Sequence, residues 1–211
     1  LILTHEYHWQ DYAMNTLEEL QSLMNDISAQ VNPFDEVILY LPPVTYEGDL
    51  ELQRAFEFHG STEGDQRTTL KGSLTMLETG RYYWINYFYD MDFVGDGSGT
   101  GLSGSASFRA TGCTFTGWDT GVFAYGTSWA NVIGCSFQYN RIGFRFDSSG
   151  EYANHSMFND NQFIGNDVGV QLDNVPTDVK LNFQGSVFQG NRTSIDNRCS
   201  QPTDLSQATL D

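Results

Sequence analysis

The chain has 211 residues, 21 of them glycine, with 14% aromatic residues and a formal net charge of −17 at pH 7. That charge, with Lys71 and Lys180 as the only lysines, excludes nucleic acid as a partner, because phosphate binding needs clustered Lys and Arg. It equally excludes an anionic membrane surface, and no apolar run approaches the roughly eighteen residues of a membrane span.

The first residues, LILTHEYHWQ, have no initiator Met, no basic stretch and no long apolar stretch, so they do not read as a signal peptide. The chain is expected to be a processed or excised piece of a longer precursor. Residues 1–34 read as an N-terminal segment carrying a helix. Thr16 and Glu19 fit a Ser/Thr-x-x-Glu capping box. Leu17, Leu20, Leu23, Met24 and Ile27 then recur at helical spacing on one face. The spacing predicts an amphipathic helix over about Thr16–Gln30, lying across the end of whatever follows.

From Asp35 the period changes. GCTFTGWDTGVFAYG and GCSFQYNRIGFRFDS begin at Gly112 and Gly134, twenty-two residues apart, and share their opening and a later Gly followed by an apolar residue. Aligned on the apolar residue of that opening, the chain gives Tyr46, Leu70, Phe93, Phe115, Phe137, Phe163 and Phe188. Two positions later stands Gly in every copy except Tyr139. Five positions earlier stand Phe88, Ala110, Val132, Phe158 and Phe183, and two positions earlier Met91, Cys113, Cys135, Asn161 and Ser186. Asn140, Asn166 and Asn191 follow the aligned residue by three.

A repeat this short cannot bury its own apolar face, so its copies must stack. Stacked strands pair in parallel about 4.8 Å apart, and equivalent inward residues form columns. The phenylalanines become an aromatic stack, Cys113 and Cys135 a thiol stack, and the asparagines a turn ladder. The predicted fold is all-β: a single-stranded right-handed parallel β-helix of about seven coils over residues 35–199. The amphipathic helix caps its N-terminal end, and residues 200–211, SQPTDLSQATLD, read as a polar tail.

The segment Asp35–Cys199 resembles the right-handed parallel β-helix of the pectate-lyase-like superfamily. The resemblance includes its opening coils, where an apolar strand leads through a Pro-containing corner to Tyr46-x-Gly48, with TTLKG one coil later. That superfamily holds lyases, hydrolases, esterases, epimerases and non-catalytic surface modules, so the fold does not name a function. The Asn-Thr-Asp, Asp-Asp, Gly-His-Gly and Arg-Ile-Lys motifs of polygalacturonase-like hydrolases are absent, as is the Asp-Pro-His-Glu of alginate epimerases.

Calcium-assisted lyase chemistry needs acidic metal ligands beside a basic residue. Arg67, Asp90 and Asp92 are the candidates for it, with Asp90, Asp92 and Asp96 as candidate calcium ligands. A salt-bridge ladder on a solenoid face is the alternative reading of the same residues. Asp119, Arg141, Asp167 and Arg192 alternate in sign from coil to coil, as cross-strand pairing favours. The four histidines have no zinc or triad spacing. In RYYWINYFYDMDF, Tyr83, Trp84 and Tyr87 are candidates for stacking on sugar rings. Trp118, Tyr125, Trp129 and Tyr139 are further aromatics near corners.

The expected function is an extracellular or bacterial cell-surface module that recognises a polysaccharide or surface glycan, or serves in display, without catalysis or a required cofactor. A polysaccharide lyase using calcium, or a glycoside hydrolase, is the alternative; a structural spacer is the third.

Overall fold

The computed structural model describes residues 1–77, 85–149 and 155–211. They form a parallel β-solenoid of about six turns built from three parallel sheets, of which the six-stranded one ends at β14 while the other two run on. The six-stranded sheet holds β1 (Thr4–His8), β2 (Glu36–Tyr40), β5 (Glu57–His59), β8 (Asn86–Tyr89), β11 (Phe108–Thr111) and β14 (Ala130–Ile133). The eight-stranded sheet holds β3 (Thr45–Glu47), β6 (Thr69–Lys71), β9 (Asp92–Val94), β12 (Thr114–Thr116), β15 (Ser136–Gln138), β17 (Gln162–Ile164), β19 (Val187–Gln189) and β21 (Thr209–Leu210). The seven-stranded sheet holds β4 (Leu50–Leu52), β7 (Leu74–Met76), β10 (Thr100–Gly104), β13 (Thr120–Gly126), β16 (Ile142–Ser148), β18 (Val168–Asn174) and β20 (Thr193–Asn197).

The register is the sequence alignment made physical. Phe93, Phe115, Phe137, Phe163 and Phe188 are direct partners along the eight-stranded sheet. Their rings stack at centroid distances of 4.9, 5.2, 4.8 and 4.7 Å. Each is buried, as are Phe88, Ala110, Val132, Phe158 and Phe183 on the facing side. Burying a phenylalanine contributes about 1.5–3 kcal/mol and a ring pair about 0.5–1.5 kcal/mol more. The columns therefore hold the coils together.

Polar columns complete the corners. Asn140 Nδ2 donates to the carbonyl of Phe115, Asn166 Nδ2 to that of Phe137 and Asn191 Nδ2 to that of Phe163. Trp118 stands one coil before Asn140 and does the same with its indole, donating to Phe93 O at 3.1 Å. Tyr139 adopts φ +56° where the preceding and following copies have Gly117 and Gly165 at φ +78° and +64°.

Helix α1 (Leu17–Gln30) begins at Thr16 with the predicted reciprocal capping box. It buries Leu20, Met24 and Ile27 against the first coil. Arg54, only 3% exposed, fastens this cap from below. Its guanidinium donates to the carbonyls of Val31 and Asp35.

Both ends differ from the sequence reading. Before the helix, β1 pairs with β2 and extends the six-stranded sheet, so the first residues belong to the solenoid. Residues 200–211 are not a free tail. Gln201 Nε2 donates to Val179 O, Asp204 N donates to Leu181 O, and β21 pairs with β19. Leu205 and Ala208 pack against the core. The segment is polar because only one of its sides meets the core, and β21 adds a further rung to the eight-stranded sheet.

Candidate functional site

The structure gathers Arg67, Asp90 and Asp92 around Gly112, as the rung spacing predicts. Asp92 points outward at the start of β9, and its Oδ1 accepts from Arg67 Nε at 2.9 Å and from Thr114 Oγ1 at 2.9 Å. Arg67 Nη2 donates to the Gly112 carbonyl at 2.6 Å. Asp90 forms the corner before β9 at φ +58°. A Cβ on Gly112 would lie 2.6 Å from its Oδ1, so its carboxylate rests on that glycine. Arg67 is thus tied to a carboxylate and a carbonyl, the arrangement of a structural arginine.

Asp96 lies beyond β9, in the bend two residues after Val94. Its Oδ1 accepts from Ser98 N and Ser98 Oγ, and these bonds hold its carboxyl below the usual carboxylate range. Among the described residues there is no group of three or more His, Cys, Asp or Glu side chains placed to hold a metal ion.

Of the aromatic candidates, Tyr83 and Trp84 lie outside the described residues. Tyr87 is half-buried on the outer face of the six-stranded sheet. It does not stand alone there. Parallel register places His8, Tyr40, His59 and Tyr89 in one outward column and Glu6, Ile38, Glu57, Tyr87 and Arg109 in the next. The first column is a continuous ring stack, with centroids 4.3, 5.0 and 4.6 Å apart. Tyr87 and Tyr89 lie parallel at 6.2 Å.

Charged groups edge this stripe. Tyr40 Oη donates to Glu6 at 3.1 Å. Glu57 lies 3.1 Å from His59 Nε2, an ion contact when the imidazole is protonated but without hydrogen-bond alignment. The Arg109 guanidinium sits 5.8 Å from the Tyr87 ring and 5.5 Å from Trp129. Burial, with help from Glu57, raises the Tyr89 phenol, and burial and Glu6 raise that of Tyr40; both hydroxyls stay protonated donors. Beside Tyr87 opens a cleft of about 180 Å³, bounded by Glu36, Ile38, Glu57 and Ile85. The stripe and cleft offer ring edges, the cleft-facing side of Tyr87, hydroxyl donors and carboxylate acceptors: the groups that hold a polyhydroxylated ligand.

His8, Tyr40, His59 and Tyr89 were not gathered by sequence reasoning. The signal was register, hidden by corners of unequal length. Tyr40 precedes its aligned residue Tyr46 by six positions, His59 precedes Leu70 by eleven, and Tyr89 precedes Phe93 by four.

Arg141 grips Asp119 with two bonds at 2.6 and 3.1 Å. These lower the Asp119 carboxyl and raise the Arg141 guanidinium. Asp167, on the next coil, also favours the Arg141 charge, so the predicted alternation extends one coil further. Cys113 and Cys135 are free buried thiols, donating to the carbonyls of Phe88 and Ala110. His5 pairs with Asp35 at 2.9 Å. No helix among the described residues is long and apolar enough to cross a membrane.

These observations define a parallel β-solenoid with an aromatic and acidic stripe on one sheet. The profile of the right handed beta helix region matches residues 77–210, and the chain belongs to that family. No curated protein and no solved structure matches it significantly.

Proposed function

We propose that this β-helix is a glycan-binding module displayed outside a bacterial cell, holding carbohydrate on the outer face of its six-stranded sheet without transforming it. The observation that carries the reading is the outward stripe of Tyr40, His59, Tyr87 and Tyr89, edged by Glu6, Glu57 and Arg109. A sugar presents hydroxyls that both donate and accept, beside C–H faces that favour aromatic rings, and the stripe offers partners for each. The engagement of Arg67 by Asp92 and Gly112 favours binding over the lyase alternative, whose proton acceptor Arg67 would have to be. The reading requires no cofactor, and calcium enters as a variable of the test.

Affinity electrophoresis of the whole chain through gels containing neutral or acidic polysaccharides, with and without calcium, tests it. Retardation that Tyr87→Ala abolishes is the expected result. Ultraviolet absorbance from unsaturated sugars would replace this reading with the lyase. Neither retardation nor product would leave a structural spacer.

A further inference from the structure

A ring can take a sugar only on a face that is open, and most ring faces on the stripe are spent. Tyr40 lies between His8 at 4.3 Å and His59 at 5.0 Å. His59 lies between Tyr40 and Tyr89, the latter at 4.6 Å. These rings present edges, not faces, to a ligand. Tyr87 differs. Arg109 covers the side toward β11. On the side toward β5, the ring borders the cleft with Glu57 and Ile38.

We infer that this cleft recognises a single neutral sugar residue, at a chain end or a branch, and not a run of sugars along a polymer. The inference rests on the glycan-binding reading above. The cleft of about 180 Å³ is smaller than the roughly 300–1,000 Å³ of sites for drug-sized ligands. Its contents are correspondingly one ring. Ile38 and Ile85 wall it with apolar surface suited to a C–H face, and Glu36 and Glu57 accept hydroxyl protons.

Charge decides the sugar class. Asp35, Glu36 and Glu57 line the cleft, and no Lys or Arg does among the described residues. A uronic acid would bring its carboxylate against like charges, on a chain of net charge −17. A neutral sugar meets no such repulsion.

The test titrates the intact chain calorimetrically with gluco-, xylo- and manno-oligosaccharides of one to six residues, and with galacturonate oligomers. One neutral series is expected to bind with an affinity that changes less than about threefold from the shortest bound member to the hexamer. Tyr87→Ala and the milder Glu57→Gln are each expected to weaken it at least tenfold, with circular dichroism confirming the fold. Affinity that climbs severalfold with each added sugar would overturn the single-residue inference and leave glycan binding standing. Galacturonate oligomers bound as tightly as neutral ones would overturn the choice of sugar class. No binding by any oligosaccharide, with polymers still retarded in gels, would overturn the inference alone; no binding in either assay sinks both readings.

Discussion

Replacing Asn166 by alanine removes the centre of the asparagine ladder. Its Oδ1 accepts from Asn140 N and Nδ2, both at 3.0 Å, while its Nδ2 donates to Phe137 O and to Asn191 Oδ1, both at 2.9 Å. The side chain is buried, so water does not readily take its place. Alanine leaves the Asn140 N–H without its acceptor and the Phe137 carbonyl without this donor. A buried polar group left unsatisfied costs about 1–3 kcal/mol, so Asn166→Ala is expected to cost roughly 2–6 kcal/mol. Asn191 closes the ladder and is only half-buried. Water replaces much of what it supplies, and Asn191→Ala is expected to cost about 1 kcal/mol, the net worth of an ordinary hydrogen bond.

Urea unfolding followed by circular dichroism measures both variants. Because a solenoid can open coil by coil, hydrogen exchange at the Asn140 amide provides a local reading that does not assume two states. Asn166→Asp is a useful companion, since it keeps an acceptor while losing both donors and burying a charge; it should be no better tolerated than alanine. An Asn166→Ala cost equal to or below that of Asn191→Ala would refute the premise that satisfaction of buried backbone groups makes the ladder cohesive.

Three further outcomes are expected. Tyr139→Gly should raise the thermal midpoint, by an amount equivalent to about 0.5–1 kcal/mol, because it relieves a left-handed tyrosine (φ +56°) whose side chain is 65% exposed as a residue; a lower midpoint would mean that its ring over Gly165 contributes more than the strain costs. His5 and the Leu3 N–H hold the Asp35 carboxyl below the usual carboxylate range. A depressed carboxyl contributes stability above its unfolded pKa and loses it as pH falls through the lower folded value. The protection of the β1 amides, taken relative to their intrinsic exchange rates, should therefore fall below about pH 4 in the native chain, and Asp35→Asn should flatten that dependence. Burial, then the neighbouring Cys135 thiol, raises Cys113 well above the ordinary thiol range. In the folded chain at pH 8 a disulfide reagent should reach only the half-buried Cys199, and all three thiols in denaturant; fast labelling of a second thiol would contradict the closed thiol column.

The inward half of this molecule was legible in its sequence because stacking imposes the same demand on every coil. Phe115 must lie over Phe93 and under Phe137, so character repeats at a fixed offset wherever the core is continuous. The capping helix was legible for a local reason, since Thr16 and Glu19 form their reciprocal bonds within three residues. Strand β1 was not, because α1 separates it from its partner β2 and breaks the repeat. Arg54 was also hidden: nothing local distinguishes an arginine that binds two carbonyls of distant segments from one in solvent.

The outward half obeys a different constraint, and this explains why the candidate site was only partly visible. A residue facing water needs no match above or below it, so His8, Tyr40, His59 and Tyr89 form no column in an alignment built on core positions. Corner length then displaces them further. The span from Gly60 to Thr68 pushes His59 out of phase with Tyr89, although their rings lie 4.6 Å apart. The same freedom makes the stack informative. Core stacking accounts for Phe137, and it does not account for four outward aromatic rings in register beside Glu6, Glu57 and Arg109. Where burial no longer dictates residue type, ring pairs one coil apart still stabilise the sheet they stand on, and what the glycan-binding proposal adds is a use for the Glu6, Glu57 and Arg109 groups that edge the column.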